Sequence, residues 1–241
     1  MKSILPVITL LLALQSIGAK AQDEGGFTAD RPGALTGTDV LPLGRIQWET
    51  GASWELSRLD SPSVTTWTIN TSMLRWGFSD FAELRIQGDY LINVSNGNTR
   101  HEFDNLTIGT KAKLSEGSGI LPAVSLLANV IVSTGAQMCL LFSNELTPWC
   151  SLAYEADLIW SGKGRPTAFF GLGLGFSLGE RFSIQLEEFN YFRPHVTECW
   201  SELSFAYQLS GRLQLDIGTD ISLNSPAKSH NLMLGVSWQL K

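Results

Sequence analysis

Positive charge is scarce in this chain. Its 17 lysines and arginines are outnumbered by 23 aspartates and glutamates, leaving a net charge of -6. No run of basic residues occurs. Nucleic-acid binders neutralise phosphates with clustered Lys and Arg, so that class of partner is excluded. Cysteine is scarce too. Cys139, Cys150 and Cys199 make an odd number with no C-x-x-C spacing, which excludes a disulfide-dense scaffold and a zinc finger. Cys139 and Cys150 flank a loop-like stretch. They could pair in an oxidising compartment, or all three could stay as thiols.

Metal and nucleotide signals are missing as well. His101, His195 and His230 are scattered, with none at ligand spacing. Glu187 and Glu188 are adjacent, so a regular strand points them to opposite sides and they cannot act as a carboxylate pair. GLGLGF at 171–176 does not satisfy G-x-G-x-x-G. No bound cofactor is expected.

The chain opens with Lys2, an apolar stretch from Ile4 to Leu14 and Ala19-Lys20-Ala21. This has the form of a secretory signal peptide over 1–21, cleaved after Ala21. The apolar stretch is shorter than the roughly 20 residues a spanning helix needs, and no later segment supplies one. Any membrane crossing must therefore be made by strands.

What is abundant is alternation. Along 45–57, Arg45, Gln47, Glu49, Gly51, Ser53 and Glu55 share one face, and Ile46, Trp48, Thr50, Ala52, Trp54 and Leu56 the other. Successive side chains of a strand point to opposite sides, so the segment has one wet and one greasy face. Similar segments follow at 63–76, 81–94, 103–114, 120–133, 149–160, 167–178, 181–192, 198–209, 212–222 and 230–240. The count is odd, whereas single-chain bacterial barrels have even strand numbers. A short strand is expected around Met138 to Phe142. The fold class is thus an all-β, antiparallel transmembrane β-barrel of about 12 strands, with about 10 as the alternative. It spans 44–241. Residues 22–43, rich in Gly, Pro and Asp, form a non-barrel lead-in or a plug.

Alternation alone does not say which face is outside. A soluble barrel puts its apolar face inside, whereas a membrane barrel puts it outside. The export signal, the aromatics on the apolar face (Trp48, Trp54, Trp67, Tyr90, Trp160, Phe205, Tyr207, Trp238) and the charges on the polar face favour the membrane barrel. On that assignment Arg45, Glu49, Glu83, Arg85, Asp89, Lys111, Lys113, Glu187, Glu202, Arg212 and Asp216 are expected to line a lumen. Mixed charge there biases permeation by charge and size if the lumen is open, or satisfies itself if it is filled.

Two short segments admit a hydrolase reading: Ser95-Asn96-Gly97 with His101, and Ser229-His230. No acid partner is fixed by spacing, and Ser-Asn-Gly is ordinary turn chemistry. The chain is expected not to be an enzyme. Asn70, Asn93 and Asn105 head formal glycosylation sequons but fall in or beside strands, so they are chance matches.

The mature N-terminal region reads T-A-D-R-P at Thr28 to Pro32, then L-P-L-G-R-I-Q-W-E-T-G at Leu41 to Gly51. It resembles the TDRP … P-G-x-x-Q-x-E-x-G opening of outer-membrane proteins of the phenol-degradation meta-pathway, or MetA-type, transporter family. S-L-G-E-R-F-S-I-Q-L-E-E at 177–188, L-Q-L-D-I-G at 213–218 and the last strand are similar in position and pattern. The chain departs from the family in a shorter middle, 135–165, and in ending on Gln-Leu-Lys rather than an aromatic residue. The resemblance implies a transporter in the bacterial outer membrane. Its expected partners are membrane lipid, a small-molecule solute and the outer-membrane assembly machinery. The expected function is passive passage of small molecules, with a non-conducting structural barrel as the alternative.

Overall fold

The computed structural model describes residues 27–58, 63–95, 97–132, 135–162, 164–224 and 228–240. The expected signal peptide lies outside them. The described residues form twelve antiparallel strands, β1(Ile46–Arg58), β2(Ser63–Ser79), β3(Ala82–Ser95), β4(Asn98–Ser115), β5(Ala123–Ile131), β6(Gly135–Thr147), β7(Cys150–Trp160), β8(Thr167–Leu178), β9(Phe182–Arg193), β10(Val196–Ser210), β11(Leu213–Ser222) and β12(Lys228–Gln239). Each strand pairs with its sequence neighbours, and β1 pairs with β12 to close the barrel. The shortest, β5, has 9 residues, enough to cross a bilayer core when tilted. Closure leaves no unpaired edge, as a hydrocarbon environment requires.

The twelfth strand is β6, 13 residues long. The five residues expected around Met138 understate it, because QMCLLF is apolar on both faces and hides the period of two. β4 also begins earlier than expected. The polar residues Thr99, Arg100 and His101 belong to the strand, and the hairpin turns on Gly97 in a left-handed conformation, φ 76°.

Burial settles which face is outside. Arg75, Lys111, Gln47, Glu49 and Glu83 are fully buried, whereas Trp48, Leu74, Trp76, Ile86, Leu140, Leu172, Ile217, Leu234 and Trp238 are exposed. This is a globular interior turned inside out. A water-soluble barrel would bear the cost of exposing an apolar band. In lipid that band is the favourable face. Aromatic residues mark two levels on it. Trp48 sits opposite Trp238 near the start of β1 and the end of β12, and Trp54 packs on Trp67 at 6.0 Å further along. Trp48 and Trp54 are six residues apart, about 20 Å along the strand, a spacing that suits interfacial girdles.

Candidate functional site

The candidate site is the barrel interior and the segment that enters it. Residues 27–43 form no strand, yet Leu35, Thr38 and Leu41 are buried. A loop led inside a barrel must find partners for its backbone N–H and C=O groups. Here the wall supplies them as carboxylates. Glu49 accepts the Asp30 and Arg31 amides at 3.2 Å. Glu187 accepts those of Ala34 and Leu35 at 2.8 and 3.1 Å. Glu155 accepts Thr36 N–H at 2.7 Å and Glu83 accepts Leu41 N–H at 2.7 Å. In the other direction, Gln47 donates to Thr28 O at 2.7 Å, Gln214 to Arg31 O at 2.7 Å and Lys111 to Gly37 O at 3.0 Å.

Ion pairs lock the segment further. Asp30 lies 2.8 Å from Arg85 Nη1 and 3.0 Å from Lys111 Nζ. Arg75 spans two wall carboxylates, with Glu49 at 2.7 Å and Glu83 through two bonds of 2.9 Å. Across the lumen Arg31 pairs with Asp216 at 3.0 Å. Burial by itself would raise the Asp30 carboxyl, but Arg75, Lys111 and Arg85 around it outweigh that and hold it well below the ordinary carboxylate range.

Inward-facing glycines make room for the segment. A Cβ built on Gly171 would lie 2.8 Å from Leu35 Cδ1, and one on Gly51 would lie 2.6 Å from Arg31 Nη2. Part of the glycine in the β strands therefore serves close approach of the inserted segment. Leu35 packs with Phe169 and Phe189, and Tyr191 and Trp200 close around them. Phe189 stacks on Trp200 at 6.2 Å.

The residues expected to line a lumen fall into three groups. Glu49, Glu83, Arg85, Asp89, Lys111, Glu187, Glu202 and Asp216 are buried in the interior. Arg45, just before β1, and Lys113, which pairs with Asp39 at 3.2 Å and Glu116 at 2.9 Å, are half-buried at the end where β1 starts and β4 finishes. Arg212 corrects the expectation. It lies in the turn between β10 and β11 and is exposed, because the strand starts one residue later, at Leu213.

Arg75 was missed. Strict alternation from Thr66, Thr68, Asn70 and Ser72 would place it on the apolar face. The pairing of β2 slips between Ile69 and Ser72, and the bulge turns Met73 and Arg75 inward. No sequence signal marks that bulge.

A cluster of Cys139, Glu155 and Asp157 was also missed. Their potential ligand atoms all lie within 4.8 Å of one another. Glu155 and Asp157 share a face of β7, and Cys139 on β6 stands opposite Asp157. Only the pairing of β6 with β7 reveals it. All three cysteines are free thiols, so Cys139 and Cys150 do not pair.

The hydrolase candidates do not assemble. Ser229 is buried and its neighbour His230 exposed, on opposite faces of β12. Ser95 stands opposite Asn98 in the ladder, and His101 opposite Ile92.

No protein-family model matches the chain, and no curated protein matches it in sequence. Solved structures do. An outer membrane channel from Pseudomonas putida F1 superposes with a TM-score of 0.64 at 10% identity, covering 87% of this chain and 99% of that one. The NanC porin follows with a TM-score of 0.55 at 11% identity, covering 79% and 100%. The KdgM porin has a TM-score of 0.51 at 9% identity, covering 79% and 99%. The fold is that of outer-membrane channel and porin barrels.

Proposed function

We propose that this protein is an outer-membrane channel for the passive passage of small solutes, with residues 27–43 as an inserted constriction. The observation that carries this reading is the polarity of the wall. Arg75, Lys111, Glu49 and Glu83 are fully buried inside a closed sheet whose outer surface is apolar. Such a barrel belongs in a bilayer and can hold water and ions within. The exported character of residues 1–21 and the fold shared with outer-membrane channels support the same location. On this reading Arg45, Glu83, Arg85 and Lys111 set the charge along the permeation route.

The finer family reading is that of the phenol-degradation meta-pathway transporters. It is supported by the way the motif residues meet. Asp30 and Arg31 of T-A-D-R-P donate their amides to Glu49 of the second motif. Gln47 of that motif donates to the Thr28 carbonyl. The two motifs thus form one hydrogen-bonded unit.

The inserted segment also favours a second reading, a non-conducting barrel. Single-channel conductance in planar bilayers separates the two. The mature chain, 22–241, should give small, stable steps, and a variant lacking 22–43 should give larger ones. Silence from both, in samples with β-rich circular dichroism and heat-modifiable gel migration, would favour the structural barrel.

A further inference from the structure

We infer that Cys139, Glu155 and Asp157 form a binding site inside the barrel for a zinc-class divalent cation. The inference is independent of whether the barrel conducts. The three side chains are all buried, with a sulfur and two carboxylate groups within 4.8 Å of one another. A thiolate with two carboxylates suits a borderline divalent ion such as Zn²⁺ better than a hard ion such as Mg²⁺.

Three observations separate this cluster from a solvated acidic patch. First, no ion pair reaches Glu155 or Asp157 among the described residues, whereas Glu49 and Glu83 share Arg75. Arg85 is close by but committed elsewhere, 2.8 Å from Asp30. Two buried carboxylates side by side repel unless a cation or a proton intervenes. Second, Oδ1 of Asp157 is buried and takes no hydrogen bond from outside the cluster among the described residues, its contacts being with Cys139 and Glu155, and Asp157 is only 5% exposed. Third, both carboxylates line an interior cavity of about 180 Å³, which leaves space for an ion and for exchangeable water on its open side.

The supporting contacts are those a ligand set needs. Gln137 donates to Asp157 Oδ2 at 2.9 Å, and Asn129 to Gln137 Oε1 at 3.0 Å. The Thr36 amide holds Glu155 Oε2 at 2.7 Å. Each carboxylate is thus oriented through one oxygen, as outer contacts orient metal ligands. Three protein ligands with one position left open describe an exchangeable site rather than a closed structural one. Through Thr36 the site also touches the inserted segment.

The test uses the protein purified from membranes, with Cys150→Ser and Cys199→Ser leaving Cys139 as the sole thiol. Cd²⁺ is titrated and followed by thiolate-to-metal charge-transfer absorption, and Zn²⁺ is titrated by calorimetry. One equivalent should bind with a charge-transfer band, and Cys139→Ser should abolish the band. Asp157→Asn and Glu155→Gln should each weaken Zn²⁺ binding at least about tenfold. Heat-modifiable migration checks folding, and if Cys139→Ser fails that check the two carboxylate variants decide. Absence of the band in the parent, or Zn²⁺ affinity unchanged in both carboxylate variants, would overturn the assignment and leave a shared proton between the acids.

Discussion

Arg75 and Glu83, eight residues apart on adjacent strands, meet through two parallel hydrogen bonds of 2.9 Å each with both side chains fully buried. This fork geometry is the strongest pairing available to a guanidinium and a carboxylate. It also orients Glu83 to accept the Leu41 amide at 2.7 Å. The wall pair is therefore the mount on which the inserted segment rests.

Removing one half of that mount leaves several buried carboxylates without compensation. Arg75→Met should cost about 3–5 kcal/mol, the usual result of breaking a buried pair. Urea unfolding in micelles, followed by tryptophan fluorescence, would measure it. A loss under about 1 kcal/mol would show that Lys111 and Arg85 carry the charge balance without it.

Acid should act on Asp30 late. Its carboxyl is held below the ordinary value of 3.8 by Arg75, Lys111 and Arg85 against the opposing effect of burial. A depressed folded value means its stabilisation is fully present above 3.8 and is lost as pH falls through the folded value. The stability gap between wild type and Asp30→Asn should stay flat from about pH 7 to about pH 4, then shrink. A gap already closing near pH 6 would contradict the ion-pair account.

The glycine at 171 should be coupled to Leu35. A Cβ there would sit 2.8 Å from Leu35 Cδ1, so Gly171→Val should cost about 1–3 kcal/mol by overpacking. In a Leu35→Ala background the same change should cost less by at least about 0.5 kcal/mol. Equal costs in both backgrounds would mean that Leu35 does not occupy that space.

Charge in the interior should be felt by permeating ions. Arg85→Glu replaces a cation beside Asp30 with an anion, so the reversal potential under a salt gradient should move toward cation preference. An unchanged reversal potential would remove Arg85 from the permeation route.

The barrel was legible because strands such as β1 and β3 repeat one wet and one greasy face with period two. It was less legible wherever that period broke. β6 runs apolar on both faces through QMCLLF, since Cys139 and Leu141 fill the interior instead of meeting water. Arg75 changed sides through a bulge whose only trace is the pairing of β2 with its neighbours. The metal-ligating cluster needed the register of β6 against β7, a long-range fact with no local sequence signature. The contacts of residues 27–43 were equally hidden. Their partners are spread from Gln47 to Leu234, and no periodicity links a loop to the wall that encloses it.

The position of Arg31 couples the inserted segment to barrel closure. Its guanidinium rests against Gly235 of β12 and pairs with Asp216 of β11, while the amide beside it is held by Glu49 of β1. One residue thus bridges the seam where the first and last strands of the barrel join. The full set of Arg31 contacts exists only when β1, β11 and β12 are all in place, so a seated segment and a shut seam stabilise each other.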